Sequence, residues 1–446
     1  MTAVGATSIL LALSGVVAFV WITPENPVRD AITHASAPTA AEKILQQRNE
    51  LLSRVVELSG KIDALSDDLA SSQTDRADLQ QQLWTIQGQL DALPVGGSAP
   101  SKKARTTPVG PITAPSKAEL VAPASPYFGM YTEQAPFNWA TFDATSAKIG
   151  SAPNAVGYFG GWDENFRANA VTGAWKHGNF PVLTWESRPI DATNDQVNEP
   201  AYSLPAIIGD AANGIPGSYD DYLHQYARDI IATGLPLGIR LDHEMNGDWY
   251  PWSETNRAGG SLNGNRVGDY VAMWRHVHDI FEEEGANSLV VWIWSPNITN
   301  NLPATHKAAG YLEGLYPGDA YVDWVGLSGY LRPPYTDDNT FSFDYTFGAS
   351  LAQLRTITDQ PIFLAEIGAS ETGGHKAAWV TSLFEGLARP ENADIVGFAW
   401  FNLAVTSYTE GVRATNDWRI DSRDDSLAAF SAGLRATGSR FALAPY

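Results

Sequence analysis

GIRLDHEMNGDWYPW, from Gly238 to Trp252, is the stretch whose reading decides the architecture of this chain. Its first part is a strand: after Gly234 and Pro236 the run Leu237, Gly238, Ile239 is apolar, and polar residues begin only at Arg240. Its second part carries chemistry. Asp242, His243, Glu244 and Asn246 follow one another where the strand emerges, and Trp249, Tyr250 and Trp252 supply flat apolar faces beside them. Polar groups crowded among aromatics suit a pocket for a ligand that has both hydroxyls and apolar ring faces.

Outward from this stretch the same pattern repeats. From Tyr127 on, apolar runs end in an aromatic or polar residue that a core would not need: Tyr131, Trp162, Trp185 with Glu186, Glu244, Trp294, Tyr330, Glu366 and Trp400. Amphipathic helices are predicted between them, over Tyr219 to Ala232, Asp269 to Glu284, Phe343 to Ile357 and Lys376 to Ala388. Eight strand-then-helix units predict an α/β fold, a closed (β/α)8 TIM barrel over 127–446, with the reactive face at the strand C-termini. The rival, an open doubly wound sheet, lacks a glycine-rich phosphate loop after its first strand.

Two run ends carry a glutamate in an apolar surround, Glu244 on the fourth strand and Glu366 on the seventh, which face each other across a barrel mouth. Two carboxyl groups a sugar apart are what glycoside hydrolysis needs, one protonated to donate to the leaving oxygen and one ionised to attack the anomeric carbon. A separation of roughly 5 to 5.5 Å gives double displacement with retention. Glu244, with His243 before it and Asn246 and Trp249 after it at the start of a loop, is the acid/base candidate. Glu366 closes the short apolar strand Phe363, Leu364, Ala365, so a rigid backbone aims it inward as a nucleophile. Tyr330 ends the neighbouring strand and can donate a hydrogen bond to Glu366. Arg240, on the same strand face as Asp242 and Glu244 by alternation, is a second candidate to hold Glu366 anionic.

Composition agrees with a neutral, ring-faced ligand. The chain has 446 residues, a 44% hydrophobic content, 15 Trp, 17 Tyr and 17 Phe. Its formal net charge of -21 argues against nucleic acid as a partner. The absence of cysteine excludes disulfides, thiolate metal sites and a Cys nucleophile. His224, His276, His278 and His306 sit without metal spacing, so no metal is expected. Tyr226 and Tyr270 read as helix packing, and Asp337 and Asp338 as a solvated loop.

The first 126 residues are of another kind. Thr2 to Ile22 is apolar and free of charge, which predicts a membrane anchor or export signal in 1–24, the uncleaved anchor being favoured because no basic start precedes the run. In 40–93 apolar residues recur at spacings of three and four: Ile44, Leu51, Leu58 and Leu65 on one register, Val55, Ile62 and Leu69 on the other. That predicts a coiled coil and a homo-oligomer, interrupted at Arg48, Ser72 and Arg76. The stretch 94–126 is rich in Pro, Ala and Ser and reads as a semi-extended linker without a core.

On the motifs of its C-terminal domain the chain resembles glycoside hydrolase family 26. HEMNGDWYPW, His243 to Trp252, is similar to that family's acid/base segment, and FLAEIGAS, Phe363 to Ser370, to its nucleophile segment. VVWIWSPN and WVGLSGY, ending at Asn297 and Tyr330, fit its fifth and sixth strands. The resemblance implies a cofactor-free retaining endo-glycanase acting on β-mannan, mixed-linkage β-glucan or xylan. Trp185 and Glu186 in PVLTWES, where a mannanase is expected to present a histidine, look more like glucan-active members. Phe401 stands where a mannanase-like arginine is expected. Trp162, Trp185, Trp294 and Trp400 each read equally as core filling or as a sugar platform, with Trp400 foremost for the platform because it ends the eighth strand. The expectation is a surface-anchored, extracytoplasmic polysaccharide hydrolase. Its rivals are a carbohydrate-binding or wall-scaffolding protein and an anchored protein whose coiled coil is the functional part.

Overall fold

The protein is described from a computed structural model, which covers residues 112–193, 196–409, 412–436 and 439–441. The predicted anchor, the coiled coil and the first part of the linker lie outside the described residues. Among the described residues no helix is long and apolar enough to cross a membrane.

Eight parallel strands close a barrel in chain order. They are β1 (Tyr127–Tyr131), β2 (Ala155–Gly161), β3 (Phe180–Glu186), β4 (Leu237–Leu241), β5 (Val290–Trp294), β6 (Trp324–Leu331), β7 (Ile362–Ala369) and β8 (Ile395–Phe401). β8 closes on β1, from Tyr127 opposite Gly397 to Tyr131 opposite Phe401. A hairpin of β9 (Ala404–Thr409) and β10 (Val412–Asp417) follows β8, which the sequence reading did not anticipate.

Among the described residues nine α-helices accompany the strands: α1 (Lys117–Val121), α2 (Ala140–Ile149), α3 (Ala168–His177), α4 (Leu204–Ile208), α5 (Asp220–Thr233), α6 (Asp269–Glu284), α7 (Ala349–Ile357), α8 (Lys376–Leu387) and α9 (Asp424–Arg435). Eight full strand-then-helix units were expected, and the fifth departs from that. Between β5 and β6 the chain forms only short 3-10 turns, at Thr299–Asn301, Ala304–Lys307 and Glu313–Leu315.

Strand parity divides the apolar residues into two layers. Tyr127, Tyr131, Ala155, Phe180, Val182, Val291, Ile293, Trp324, Phe363, Ala365 and Ala399 fill the barrel, whereas Phe128, Met130, Leu183, Trp292 and Phe398 pack under the helices. The bottom is stopped by α1, opened by a capping box between Ser116 and Glu119. Its Leu120 is buried among the interior residues, and Trp324 Nε1 donates to Val121 O at 3.0 Å. The barrel therefore begins inside the stretch read as linker: a five-residue helix with one buried leucine leaves too faint a period to recognise in a Pro-rich run.

One irregularity decides the site. Gly326 pairs with Phe363 but Ser328 pairs with Glu366, and on the other edge Leu364 pairs with Phe398 but Ile367 with Trp400. On both sides β7 uses one residue more than its neighbour, which is a β-bulge at Ala365 and Glu366. Phe363 and Ala365 face the barrel and Ile367 faces the helices, so the bulge is where parity slips and the Glu366 side chain reaches the interior. Glu366 does not close a short strand as the sequence suggested: β7 runs on to Ala369.

Candidate active site

Glu366 sits at the C-terminal mouth with two donors on its two oxygens. Arg240 Nη1 donates to Oε2 at 2.6 Å and the Tyr330 hydroxyl donates to Oε1 at 2.5 Å. Arg240 comes from the inner face of β4 and is wholly buried. Three hydroxyls hold its fork: Nε donates to Ser295 Oγ at 2.9 Å, Nη1 to Thr184 Oγ1 at 3.3 Å, and Nη2 to Ser328 Oγ. Burial works against the guanidinium charge, but Glu366, with Tyr131 and Glu244 adding to it, more than offsets that, so the arginine holds its proton more tightly than usual. Gly326 has no side chain because a Cβ there would lie 2.6 Å from Ser295 Oγ. The Tyr131 hydroxyl donates to the carbonyl of Ala365 at 3.2 Å and pins the bulge from β1.

Glu244 does not continue the alternation of β4. The strand ends at Leu241, and Asp242 and Glu244 both take left-handed backbone, with φ of 41° and 57°. Non-glycine residues hold that conformation only where the surroundings impose it. Here Asp242 N donates to Trp185 O at 2.9 Å and Glu244 N to Ser295 O at 2.7 Å, which stitches the turn to β3 and to the end of β5. Asp242 is thereby removed from the face it was expected to share with Arg240. Its carboxylate accepts from Ser187 N and Ser187 Oγ, both at 2.7 Å, and burial pushes its pKa up to about 7 against those two bonds.

Trp249 Nε1 donates to Glu244 Oε2 at 2.8 Å. Gly247 lets the indole fold back, since a Cβ there would meet the Trp249 ring at 2.5 Å. Glu244 is 7% exposed, as is Glu366. Burial, and then the charge of Glu366, raise the Glu244 pKa, against the pull of Arg240 and the Trp249 bond. The two carboxyl groups thus sense one another in one site and are held in different environments.

A second buried set adjoins them. Glu186, at the end of β3, accepts from Arg188 Nε at 3.0 Å, and the Arg188 guanidinium lies 4.8 Å from the centre of the Tyr250 ring. Burial raises the Glu186 pKa against the attraction of Arg188. His243 Nδ1 lies 3.9 Å from Glu186 Oε1. That contact is not an ion pair, because burial and the charges of Arg240 and Arg188 keep the imidazole well below its usual pKa and so neutral.

The other expected site residues divide. Asn246 is taken up by backbone: its Nδ2 donates to Asn297 O and its Oδ1 accepts from Asn297 N, both at 2.8 Å, so it braces the loop after β5. His306 supports the same loop, Nδ1 to Asn246 O at 2.9 Å. Of the tryptophans read as either core or sugar platform, Trp185, Trp294 and Trp400 are core and not in the mouth. Trp185 stacks on Tyr226 of α5 at 4.3 Å, Trp294 Nε1 donates to Leu315 O at 3.0 Å, and Trp400 Nε1 donates to Trp418 O at 2.7 Å. All three are fully buried on the outer parity of their strands, in the helix layer. Phe401, one residue beyond Trp400, takes the inner parity, with its ring 5.9 Å from those of both Tyr131 and Tyr330.

Thr184, Ser295, Ser328, Arg188 and Trp418 escaped the sequence reading. The first three share the inner parity of Val182, Ile293 and Trp324, a phase that only strand register sets. Among the described residues no group of three or more His, Asp or Glu is placed to hold a metal ion.

A closed parallel barrel with two buried carboxyl groups and a neutral histidine at its C-terminal mouth defines the site of a glycoside hydrolase. The profile of glycosyl hydrolase family 26 matches residues 165–388, just over half of the chain, and the chain belongs to that family. Endoglucanase H of Acetivibrio thermocellus is 33% identical over 225 residues, covering 50% of this chain and 23% of that protein. A mannan endo-1,4-beta-mannosidase of Bacillus subtilis is 24% identical over 231 residues, covering 47% of this chain and 59% of that protein. These alignments span less than two thirds of either relative. The catalytic domain of a Bacillus sp. endo-beta-1,4-mannanase shares the fold, with a TM-score of 0.50 and 18% identity over 72% of this chain and 88% of that one.

Proposed function

We propose that this protein is an exported, retaining endo-β-glycanase that cleaves β-1,4-linked polysaccharide by double displacement, with Glu366 as nucleophile and Glu244 as acid/base. The observation that carries this reading is the opposite treatment of two neighbouring carboxyl groups: Glu366 receives an arginine and a tyrosine donor, while Glu244 is pushed toward its protonated form. In the first step a Glu366 oxygen attacks the anomeric carbon, the glycosidic bond breaks, and the Glu244 proton passes to the leaving oxygen. In the second, Glu244, now ionised, takes a proton from water as that water displaces Glu366. Arg240 and Tyr330 offset the carboxylate charge in the resting enzyme and release it as the ester forms. Glu186, Arg188, His243 and Phe401 are the candidate sugar contacts.

Among substrates we favour a β-glucan, because the relative with the higher identity is named an endoglucanase, with β-mannan and xylan following. The uncharged run Thr2–Ile22 supports export, and the heptads of 40–93 support self-association. Incubation with mixed-linkage glucan, β-mannan and xylan, read by release of reducing ends, tests the reading. A preference for one polysaccharide that disappears in Glu366→Ala is the expected result. Binding without cleavage on every polymer would replace it with a recognition role.

A further inference from the structure

Near the site lies a buried cation that the chemistry above does not use. Lys376, the first residue of α8, is fully buried, and burial lowers its pKa against the pull of Glu371. Its ammonium donates to Asp417 O at 3.3 Å, Arg419 O at 2.5 Å and Ser422 Oγ at 2.8 Å, and lies 3.2 Å from Glu371 Oε1. Two of these acceptors are the carbonyls on either side of Trp418. The backbone of Trp418 itself is also tied: its N–H donates to Leu403 O at 3.0 Å and its carbonyl accepts from Trp400 Nε1 at 2.7 Å. Tyr330 and Phe401, the rings it packs on, sit on barrel strands, whereas Trp418 follows the β9–β10 hairpin.

What this fixing delivers is a ring. The Trp418 indole lies 5.0 Å from the Tyr330 ring and 5.5 Å from that of Phe401. Both rings settle over Gly368, where a Cβ would stand 3.1 Å from Tyr330 Cε1 and 3.2 Å from Trp418 Cδ1. Trp418 Nε1 has no hydrogen-bond partner among the described residues. The indole therefore contributes its packing surface and not its donor. A phenol that must keep one short bond to a carboxylate needs a wall against rotation, because a displacement of about 1 Å is enough to lose two orders of magnitude in rate.

We propose that Lys376 and Trp418 form a positioning clamp for Tyr330: the ammonium sets the backbone on both sides of Trp418, and the indole holds the Tyr330 hydroxyl on Glu366. The clamp joins α8, inside the segment matched by the family profile, to the residues after the hairpin, which lie beyond it. The inference rests on Glu366 being the nucleophile.

The test is a double-mutant cycle on the full chain, with an aryl β-cellobioside or β-mannobioside as substrate and melting temperature as the control for folding. Trp418→Ala is expected to lower kcat about tenfold or more with little change in KM, and in a Tyr330→Phe background the same change is expected to lower kcat by less than about threefold. Lys376→Met is expected to resemble Trp418→Ala and to add little to it. Trp418→Phe, which keeps a ring, is expected to recover part of the loss. Should Trp418→Ala not fold, Trp418→Leu carries the same cycle. Losses that multiply fully in the Tyr330→Phe background, or a change confined to KM, overturn the clamp. Substantial turnover by Glu366→Ala overturns the nucleophile reading instead, so the two failures are distinguishable.

Discussion

Arg240 Nη1 and Glu366 Oε2 meet at 2.6 Å, and the arginine side chain is entirely buried beneath the carboxylate. Its remaining donors end on the hydroxyls of Ser295, Thr184 and Ser328, so β3, β4, β6, β7 and the residue that follows β5 take part in holding one charge pair. Breaking such a pair from one side leaves a charge without a partner in a poorly solvated place, at about 3–5 kcal/mol. Arg240→Met is expected to lower stability by that order and to lose activity; denaturant titration and steady-state assay at one pH check both. Arg240→Lys keeps the charge but not the planar fork, and is expected to recover stability more than rate.

Removing the Glu366 carboxylate leaves a space on one face of the anomeric carbon. Glu366→Ala is expected to lose at least about a thousandfold in kcat and, by leaving the buried Arg240 without its partner, to lose stability of the same order as Arg240→Met while still folding. Added azide should then restore turnover and give the α-glycosyl azide, whereas Glu244→Ala with azide should give the β-glycosyl azide. Product stereochemistry by NMR decides, and the reverse assignment exchanges the roles.

The pH dependence has a definite sign. Glu244 must be protonated to donate, and burial beside Glu366 raises its pKa, so the alkaline limb of kcat/KM is expected above the range of a free glutamate. The Trp249 N–H favours the ionised form. Trp249→Phe removes that donor, is expected to raise the Glu244 pKa further, and should move the limb to higher pH. A limb that stays in place, or moves down, separates Trp249 from the titration.

Asp242 predicts a trend in stability. Its folded pKa of about 7 lies above an unfolded aspartate, so between pH 4 and 7 the native state binds more protons than the unfolded state. Stability from this group is therefore greatest at the acid end and declines as pH rises, by a few kcal/mol at most. Asp242→Asn keeps the shape and removes the titration. The difference in melting temperature between wild type and Asp242→Asn, followed from pH 4 to 8, is expected to move steadily against the wild type.

Trp185, Trp294 and Trp400 show where sequence reading stops. Each ends an apolar run, and a run buried on both faces has no alternation to reveal which residues point inward. Phase is settled by the neighbour: Phe401 faces in because it is registered against Tyr131. Glu366 was found in the sequence, but for a partly wrong reason, since a bulge in the middle of β7, and not the end of a strand, turns it into the mouth.

The sequence by itself determined the closed parallel barrel, because eight apolar runs alternating with helical periods have few other ways to bury both faces. It also singled out Glu244 and Glu366, with Arg240 and Tyr330, which the structure sets on Glu366, because acids and bases at the ends of apolar runs stand out against a core. Only the tertiary structure decided which aromatics face the pocket, how Asp242 was diverted to Ser187, and how Lys376 comes to flank Trp418. Those outcomes depend on strand register, a bulge and left-handed turns, which arise from pairing between segments distant in the chain and leave no local period to read.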